Sequence, residues 1–160
     1  MDENKLAEFY RLALAEAQSG VTAGHGGPFG AVIVKDGEVV GSGHNSVWRD
    51  CDPTAHAEIN ALRAAGRSLG APQLDGCVLI ATSEPCPMCL AAAYWAGIKE
   101  IRFAVPLATA ASVGFGDVQI YEDLAKRPTD RRIPSIHDVN QQTEGEKIFL
   151  QWQSIGGKLY

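Results

Sequence analysis

Apolar residues recur at three- and four-residue steps in the first part of the chain, from Leu6 to Ala17. This spacing places them along one stripe of a helix, because residues three and four apart lie on the same helical face. The helix is expected to end near Gly20 or Gly24, since glycine favours helix termination. A single apolar stripe indicates that this helix covers a sheet.

Two short runs rich in β-forming residues follow, at residues 29–35 and 38–41. Asp36 and Gly37 stand between them, and this dipeptide suits the positive φ angles of a two-residue hairpin turn. We therefore predict that the first two strands pair antiparallel.

The next segments alternate between helical and strand patterns. A helix is predicted after residue 54, with Asp52 or Thr54 as its N-cap and Gly70 as its end. Residues 77–81 form an apolar strand, residues 88–96 an Ala-rich helix, and residues 101–105 another strand. This order implies right-handed crossovers between parallel strands, with helices on both faces of the sheet.

The predicted fold is α/β, a three-layer α/β/α sandwich with a mixed, mostly parallel five-stranded sheet. The fifth strand is placed at residues 135–139, and a closing helix contains Ile148, Phe149, Trp152 and Ile155. A chain of 160 residues, 46% of them hydrophobic, is long enough to bury a core as a single domain over residues 1–160.

Composition and charge narrow the classes of partner. The chain has 14 basic and 19 acidic residues, a net charge of −5, which disfavours nucleic acid as a partner. No apolar run approaches the roughly 20 residues that span a bilayer, and the first residues lack a signal-peptide pattern. We expect a cytoplasmic protein with no membrane partner.

Two short motifs carry the candidate chemistry: His56-Ala57-Glu58 and Pro85-Cys86-Pro87-Met88-Cys89. Together they read H-x-E and P-C-x-x-C, the combined signature of zinc-dependent nucleobase deaminases. Two cysteines three residues apart on the first turn of a helix converge on one point, where the helix N-terminus favours thiolates. With His56 they make three ligands for one zinc ion per subunit, and a catalytic site leaves the fourth position to water.

Glu58 lies two residues after the histidine ligand and is the candidate catalytic residue. A carboxylate there can take a proton from water and pass it to a ring nitrogen and then to the leaving ammonia. The alternative interpretation is an acidic residue that interacts with the helix dipole. Redox chemistry is the competing use of Cys86 and Cys89, but it leaves His56 and Glu58 unexplained.

A family resemblance extends beyond the two motifs. It is carried by residues 26–37, Asn45, residues 52–58 and residues 84–89. From about Gly24 to Leu124, and again at the C-terminal tyrosine, the chain resembles the cytidine deaminase superfamily, and within it the guanine deaminase-like branch. The resemblance implies hydrolytic deamination of guanine to xanthine and ammonia.

The resemblance also implies a set of substrate-binding residues: Phe29, Asn45, Ala57, Trp95, Asp117 and Tyr160. Stacking aromatic rings and hydrogen-bond acceptors suit a flat purine with ring N–H groups. Core packing is the alternative for Phe29 and Trp95, and a solvated loop acid is the alternative for Asp117. The family further implies a homodimer in which residues of about 140–160 are exchanged, so that Tyr160 reaches the partner's pocket. A disordered tail is the alternative.

Two departures from the branch leave other activities open. Gly116 stands where an Asp is common, and Ser83 stands where a Cys is frequent. Guanosine or amino-triazine deamination, tRNA adenosine deamination, and a structural zinc-binding module are the alternative functions. His44 and His137 are expected to be structural, and the glycine-rich segment 24–27 a permissive loop.

Overall fold

Four strands form the sheet, in the order β2-β1-β3-β4, in a computed structural model that describes residues 2–159. They are β1 (Gly30–Lys35), β2 (Glu38–His44), β3 (Val78–Ser83) and β4 (Glu100–Val105). β1 pairs antiparallel with β2 and with β3, whereas β3 and β4 pair parallel. The prediction of a mixed sheet is confirmed, with β1 running against the other three strands.

Seven α-helices lie in the described part of the chain. They are α1 (Glu3–Thr22), α2 (Val47–Asp50), α3 (Ala57–Leu69), α4 (Pro87–Trp95), α5 (Leu107–Ser112), α6 (Asp117–Leu124) and α7 (Gln142–Ser154), with a 3₁₀ turn at Pro128–Asp130. Among the described helices, none has the length and apolar character needed to cross a membrane. The chain forms one compact unit up to Val118 and a second from Gln119.

Helices cover both faces of the sheet, as the sequence predicts. On one face, α1 packs Phe9 and Ala13 against alternate residues of β1 and β3. On the other face, buried alanines of α3 and α4 pack against the remaining β1 and β3 residues. The approach of α3 to β2 is close, because a Cβ added at Gly41 would lie 2.5 Å from the backbone nitrogen of Ala65. Small residues on both sides allow this contact.

The hairpin between β1 and β2 has the predicted turn. Asp36 and Gly37 adopt φ angles of 50° and 82°, the left-handed conformation that such a turn requires. β2 continues to His44, three residues beyond the predicted strand end. Its last residues pair with the start of β1, and this extension brings His44 and Asn45 next to the loop that precedes β1.

The predicted fifth strand is wrong: residues 135–139 contain no strand, and the described sheet has four strands. Two local hydrogen bonds involve this segment instead. The Ser135 N–H donates to the Pro128 carbonyl oxygen, and the Asp138 carboxylate accepts the Asn140 N–H. Pro134 removes a donor that a central strand would use.

The predicted N-cap of α3 is also wrong, since His56 occupies that position. Asp52 Oδ1 accepts hydrogen bonds from the backbone N–H and the hydroxyl of Thr54, at 2.8 and 2.7 Å. These two residues therefore form a turn before the helix. The predicted end is confirmed, because Gly70 closes α3 with a φ of 67°.

The predicted closing helix is confirmed as α7, within the second unit. Its end is well defined: Gly156 has a φ of 67°, and a Cβ added at Gly157 would lie 2.0 Å from the Trp152 ring. The glycine pair therefore turns the chain back along Trp152. The predicted contact of Tyr160 lies outside the described residues.

Candidate active site

Three metal-ligating side chains come from the beginnings of two helices. His56 is the N-cap of α3, and Cys86 is the N-cap of α4. Cys89 follows in the first turn of α4, and Pro87 occupies the first helical position, where its missing N–H is not needed. The structure thus places both cysteines at a helix N-terminus, as the sequence predicts.

These three side chains converge. The Nδ1 atom of His56 lies 3.5 Å from Cys86 Sγ and 3.6 Å from Cys89 Sγ. All the ligand atoms lie within 4.8 Å of one another, and both cysteines are buried. Among the described residues no other His, Cys, Asp and Glu group of this kind occurs. Cys77 packs in the apolar core and Cys51 is exposed, so neither joins the group.

The charges of the group suit a divalent cation. A hydrogen bond from Cys89 lowers the pKa of the Cys86 thiol to about 4, with His56 adding to the effect. The pKa of Cys89 is raised, first because of its hydrogen bond with Cys86 and then because of burial. A lowered pKa at Cys86 favours the thiolate form, which is the form that binds a metal cation. Two sulfurs and one imidazole nitrogen are ligands that zinc prefers, and three protein ligands are typical of catalytic zinc sites.

Glu58 lies beside this group, with only 6% of its surface exposed. Its Oε2 atom accepts a hydrogen bond from Cys89 Sγ at 3.5 Å. Burial raises the pKa of the Glu58 carboxyl. A carboxyl whose pKa is moved towards neutral pH can both accept and release a proton, as general acid–base catalysis requires.

A cavity of about 240 Å³ opens beside the metal ligands. It is lined by Gly27, Phe29, Asn45, Val47, Trp48, Pro53, His56, Glu58, Glu84, Cys86, Phe115 and Asp117. The rings of Phe29 and Phe115 meet edge to face, with centroids 4.7 Å apart. The pKa of the Asp117 carboxyl is raised, mainly by burial.

The comparisons with known proteins agree with this geometry. A family model described as the cytidine and deoxycytidylate deaminase zinc-binding region matches residues 3–105. A guanine deaminase of Bacillus subtilis (strain 168) is 47% identical over 150 residues, which cover 94% of this chain and 95% of that protein. The X-ray structure of guanine deaminase from Bacillus subtilis matches with a TM-score of 0.90 and 44% identity, over 100% of this chain and 99% of the other. A tRNA-specific adenosine deaminase of Agrobacterium fabrum (strain C58) is 35% identical, over 90% of this chain and 91% of that protein.

The chain belongs to the cytidine and deoxycytidylate deaminase zinc-binding family. All three metal ligands and Glu58 fall inside the matched region, whereas Asp117 lies beyond it. The family match therefore covers the candidate zinc site. Cavity residues beyond residue 105 are interpreted from their contacts in the structure of this deaminase.

Not every residue predicted to bind substrate lines the cavity of the deaminase. Phe29, Asn45 and Asp117 do. Ala57 is fully buried behind the cavity lining, and Trp95, at the end of α4, is 67% exposed and stands outside it. Tyr160 lies outside the described residues.

Asn45 is held in a defined orientation by its neighbours. Its Oδ1 atom accepts the Gly27 N–H at 3.1 Å and the Val47 N–H at 3.4 Å, so these bonds use the amide oxygen and not the amide nitrogen. A Cβ added at Gly26 would lie 2.0 Å from that same oxygen, which explains the glycine. The side-chain amide of Asn60 on α3 donates to the carbonyl oxygen of His44 and to the Ser46 hydroxyl, at 2.9 and 2.8 Å. Both residues that flank Asn45 are thereby tied to the helix that carries Glu58.

Among the described residues, six that line the cavity of the deaminase were not predicted as site residues: Gly27, Val47, Trp48, Pro53, Glu84 and Phe115. Trp48 stands at the cavity mouth and is 78% exposed. Glu84 lines the cavity, and its carboxylate accepts the Leu107 N–H at 2.9 Å, which joins the cysteine loop to α5. The sequence carried a signal for both Trp48 and Glu84. Glu84 directly precedes the P-C-x-x-C motif, and Trp48 is an aromatic residue three positions after Asn45.

Proposed function

We propose that this deaminase converts guanine and water to xanthine and ammonia. The cavity beside the His56, Cys86 and Cys89 group carries the proposal, because it combines a buried carboxylate with polar groups suited to a keto-purine. The guanine deaminase of Bacillus subtilis, matched over nearly its whole length, supports the same substrate. A zinc ion held by the three ligands supplies Lewis-acid activation of a water molecule.

Glu58 performs the proton transfers. Its carboxylate accepts a proton as water attacks C2 of the base, and it donates that proton to the adjacent ring nitrogen. It then assists transfer of a proton to the amino group, which leaves as ammonia. Burial raises its pKa, so the carboxyl can act in both directions within one turnover.

The other cavity residues recognise the base. The amide nitrogen of Asn45 donates to the carbonyl oxygen of guanine, a group that adenine lacks, and Asp117 accepts from ring N–H groups. Phe29 and Phe115 form an apolar wall for the flat ring. A cavity of about 240 Å³ lies below the roughly 300–1,000 Å³ of pockets for drug-sized ligands, which suits a free base better than a whole nucleoside.

The alternatives each lack one of these features. A tRNA adenosine deaminase needs a basic surface for phosphates, whereas this chain has a net charge of −5. A structural zinc-binding module needs neither a buried Glu58 nor a cavity beside the ligands. Guanosine and amino-triazines share the ring chemistry, and the substrate screen separates them from guanine.

An ammonia-release screen tests the proposed function directly. The purified protein is assayed with guanine, guanosine, adenine, cytosine, cytidine, amino-triazines and a tRNA anticodon stem-loop. We expect guanine to have the highest kcat/KM, with xanthine as the product. Turnover of another compound in preference to guanine would refute the substrate assignment and leave the deamination chemistry in place.

Replacing Asp117 with Asn is expected to lower kcat/KM for guanine about tenfold or more. Asparagine replaces one acceptor oxygen with an N–H donor, so a ligand N–H bonded to that oxygen is left unpaired, at a cost of about 1 to 3 kcal/mol. Steady-state kinetics provide the measurement, and the exposed residue Asp2 provides an Asp→Asn control. An unchanged kcat/KM would return Asp117 to the role of a solvated loop acid.

The free cysteines support a proposal about the cellular compartment of the protein. All four cysteines are free of disulfides. Structural disulfides are rare where glutathione keeps thiols reduced, and thiolate ligands require that reduced state. We include a cytoplasmic location in the proposal on this ground.

The proposal also includes a homodimer in which the C-terminal segment is exchanged between subunits. Several large apolar side chains of the second unit are exposed: Ile148, Phe149, Leu150, Trp152, Ile155 and Leu159. Ile148, Phe149 and Leu150 are consecutive, so they point to different sides of α7. A helix that is apolar on several sides is typically enclosed by other elements. A second copy of this chain supplies such elements, and exchange would bring Tyr160 to the partner's pocket.

Subunit mixing tests this exchange. A chain lacking Leu159 and Tyr160 is expected to fold and bind zinc but to lose most activity, because the pocket loses its closing residues. Mixing it with an inactive full-length Glu58→Gln chain should restore activity, at about one site in four for random equal mixing. Absence of rescue in verified mixed dimers, or a monomer by analytical ultracentrifugation, would refute the exchange.

A further inference from the structure

A chain of polar side chains crosses from α1 to the loop before β1, outside the cavity. Glu16 on α1 accepts the Ser42 hydroxyl at 2.6 Å with one carboxylate oxygen. Its other oxygen lies 2.9 Å from Nδ1 of His44. The Nε2 atom of His44 lies 2.9 Å from Nδ1 of His25. All three links have hydrogen-bond distances.

These contacts determine where the imidazole protons lie. An ionised carboxylate only accepts, so Nδ1 of His44 carries the proton that bonds Glu16. In neutral His44 the Nε2 atom is then an acceptor, and the facing Nδ1 of His25 must carry a proton. Glu16 thereby fixes the tautomers of both histidines. We call Glu16, His44 and His25 the relay.

Both histidines hold segments that form the wall of the cavity. His44 directly precedes Asn45, whose N–H donates to the Phe29 carbonyl oxygen at 3.0 Å. The carbonyl oxygen of His25 accepts the N–H groups of Trp48 and Arg49, at 3.0 and 3.1 Å. The relay therefore connects the segment containing Asn45 to the loop of residues 24–29 and to the start of α2.

Two glycines permit this arrangement. A Cβ added at Gly20 would lie 2.8 Å from the His44 ring, so only glycine lets that ring lie against α1. Gly27 donates its N–H to Asn45 Oδ1, two residues after His25. The same loop thus donates a hydrogen bond to His44 from His25 and a second one to the Asn45 amide oxygen from Gly27.

We propose that Glu16, His44 and His25 form a positioning relay that sets the Asn45 amide for binding the carbonyl oxygen of the substrate. None of the three residues lines the cavity, so none acts on the reacting atoms. The proposal rests on the proposed function, because it assigns the carbonyl group of guanine to Asn45. An interaction remote from C2 stabilises substrate and transition state alike, so its loss raises KM and leaves kcat nearly unchanged.

Kinetics of Glu16 variants provide the first test. Glu16→Leu removes the acceptor and is expected to raise KM for guanine roughly tenfold, with kcat within about twofold and zinc retained. Glu16→Gln keeps an acceptor for His44 and a group that can bond Ser42, and it should behave like the wild type. Glu8→Leu, the same change at an exposed position of α1, is the control. An unchanged KM in Glu16→Leu, or an equal loss of kcat, would overturn the proposal.

A double-mutant cycle separates positioning from general stability. In an Asn45→Ala background, Glu16→Leu should produce no further rise in KM, because the residue through which it acts is already absent. His25→Phe is taken through the same cycle, so the test does not depend on the folding of one variant. Additive effects in both cycles would overturn the proposal.

Imidazole nitrogen NMR gives a readout that does not require turnover. At about pH 8.5, above the ordinary titration range of imidazole, ¹⁵N-histidine spectra should show His25 and His44 protonated at Nδ1, with His25→Phe assigning the signals. Glu16→Leu should abolish the Nδ1–H signal of His44, and Glu16→Gln should retain it. Nε2–H tautomers in the wild type would overturn the relay whatever the substrate screen shows, whereas failure of the screen alone would overturn only the assignment to guanine.

Discussion

Replacing Glu58 with Gln is expected to lower kcat for guanine by about 10²- to 10⁴-fold, the range typical of a positioned general acid and base. The amide is nearly isosteric with the buried carboxyl, so packing against Cys89 is retained, but it cannot accept and return a proton. The expected variant is folded and contains zinc. Single-turnover kinetics with metal analysis of the same sample provide the measurement.

The control for this prediction is Glu8→Gln, the same exchange at an exposed position of α1. It should leave kcat unchanged. Turnover at the wild-type rate in Glu58→Gln would remove Glu58 from the mechanism. The deaminase would then need another proton carrier at the cavity, and among the described residues Glu84 and Asp117 are the other carboxyl groups that line it.

Replacing Cys86 with Ala is expected to remove the metal and the activity together. The hydrogen bond from Cys89 lowers the pKa of the Cys86 thiol to about 4, which favours the thiolate form that binds a cation. Without it only Cys89 and His56 remain, fewer than the three protein ligands of a catalytic zinc site. Loss of Lewis-acid activation is worth several kcal/mol, so kcat/KM should fall by about 10³-fold or more.

Metal analysis after dialysis checks this second prediction. The wild type should retain one zinc per subunit, and the variant almost none, while circular dichroism reports the fold of both. Cys51→Ala is the matched control, because Cys51 is exposed and lies outside the ligand group. Stoichiometric zinc in Cys86→Ala, or full activity in it, would contradict the assignment of the metal site.

Local spacing was sufficient to predict that the two cysteines of the candidate metal site lie close together. Cys86 and Cys89 are three residues apart at the start of a helix, so helical geometry alone brings them together. The hairpin is equally local, since Asp36 and Gly37 adopt the positive φ angles that their residue types permit. In both cases the determining interaction lies within a few residues of the sequence.

Two predictions failed where residues form local hydrogen bonds in place of the predicted strand or helix cap. Residues 135–139 have a β-forming pattern, but backbone bonds at Ser135 and Asn140 are made within the loop. A strand needs a partner edge as well as a pattern, and the sequence does not report whether one is available. The cap of α3 failed for a related reason, because the side chain of Asp52 bonds Thr54 in a turn that precedes the helix.

The sequence by itself determined the α/β class, the antiparallel hairpin and the closeness of Cys86 to Cys89, because periodicity, turn chemistry and motif spacing depend on neighbouring residues. Its H-x-E and P-C-x-x-C motifs predicted the zinc ligands and Glu58. The tertiary structure decided which side chains share the cavity: it placed Trp48 and Glu84 there and left Trp95 outside. It also joined Glu16, His44 and His25, which lie 28 and 19 residues apart along the chain. Such contacts depend on how closely α1 approaches β2 across the sheet, and that distance is set by packing of the whole core.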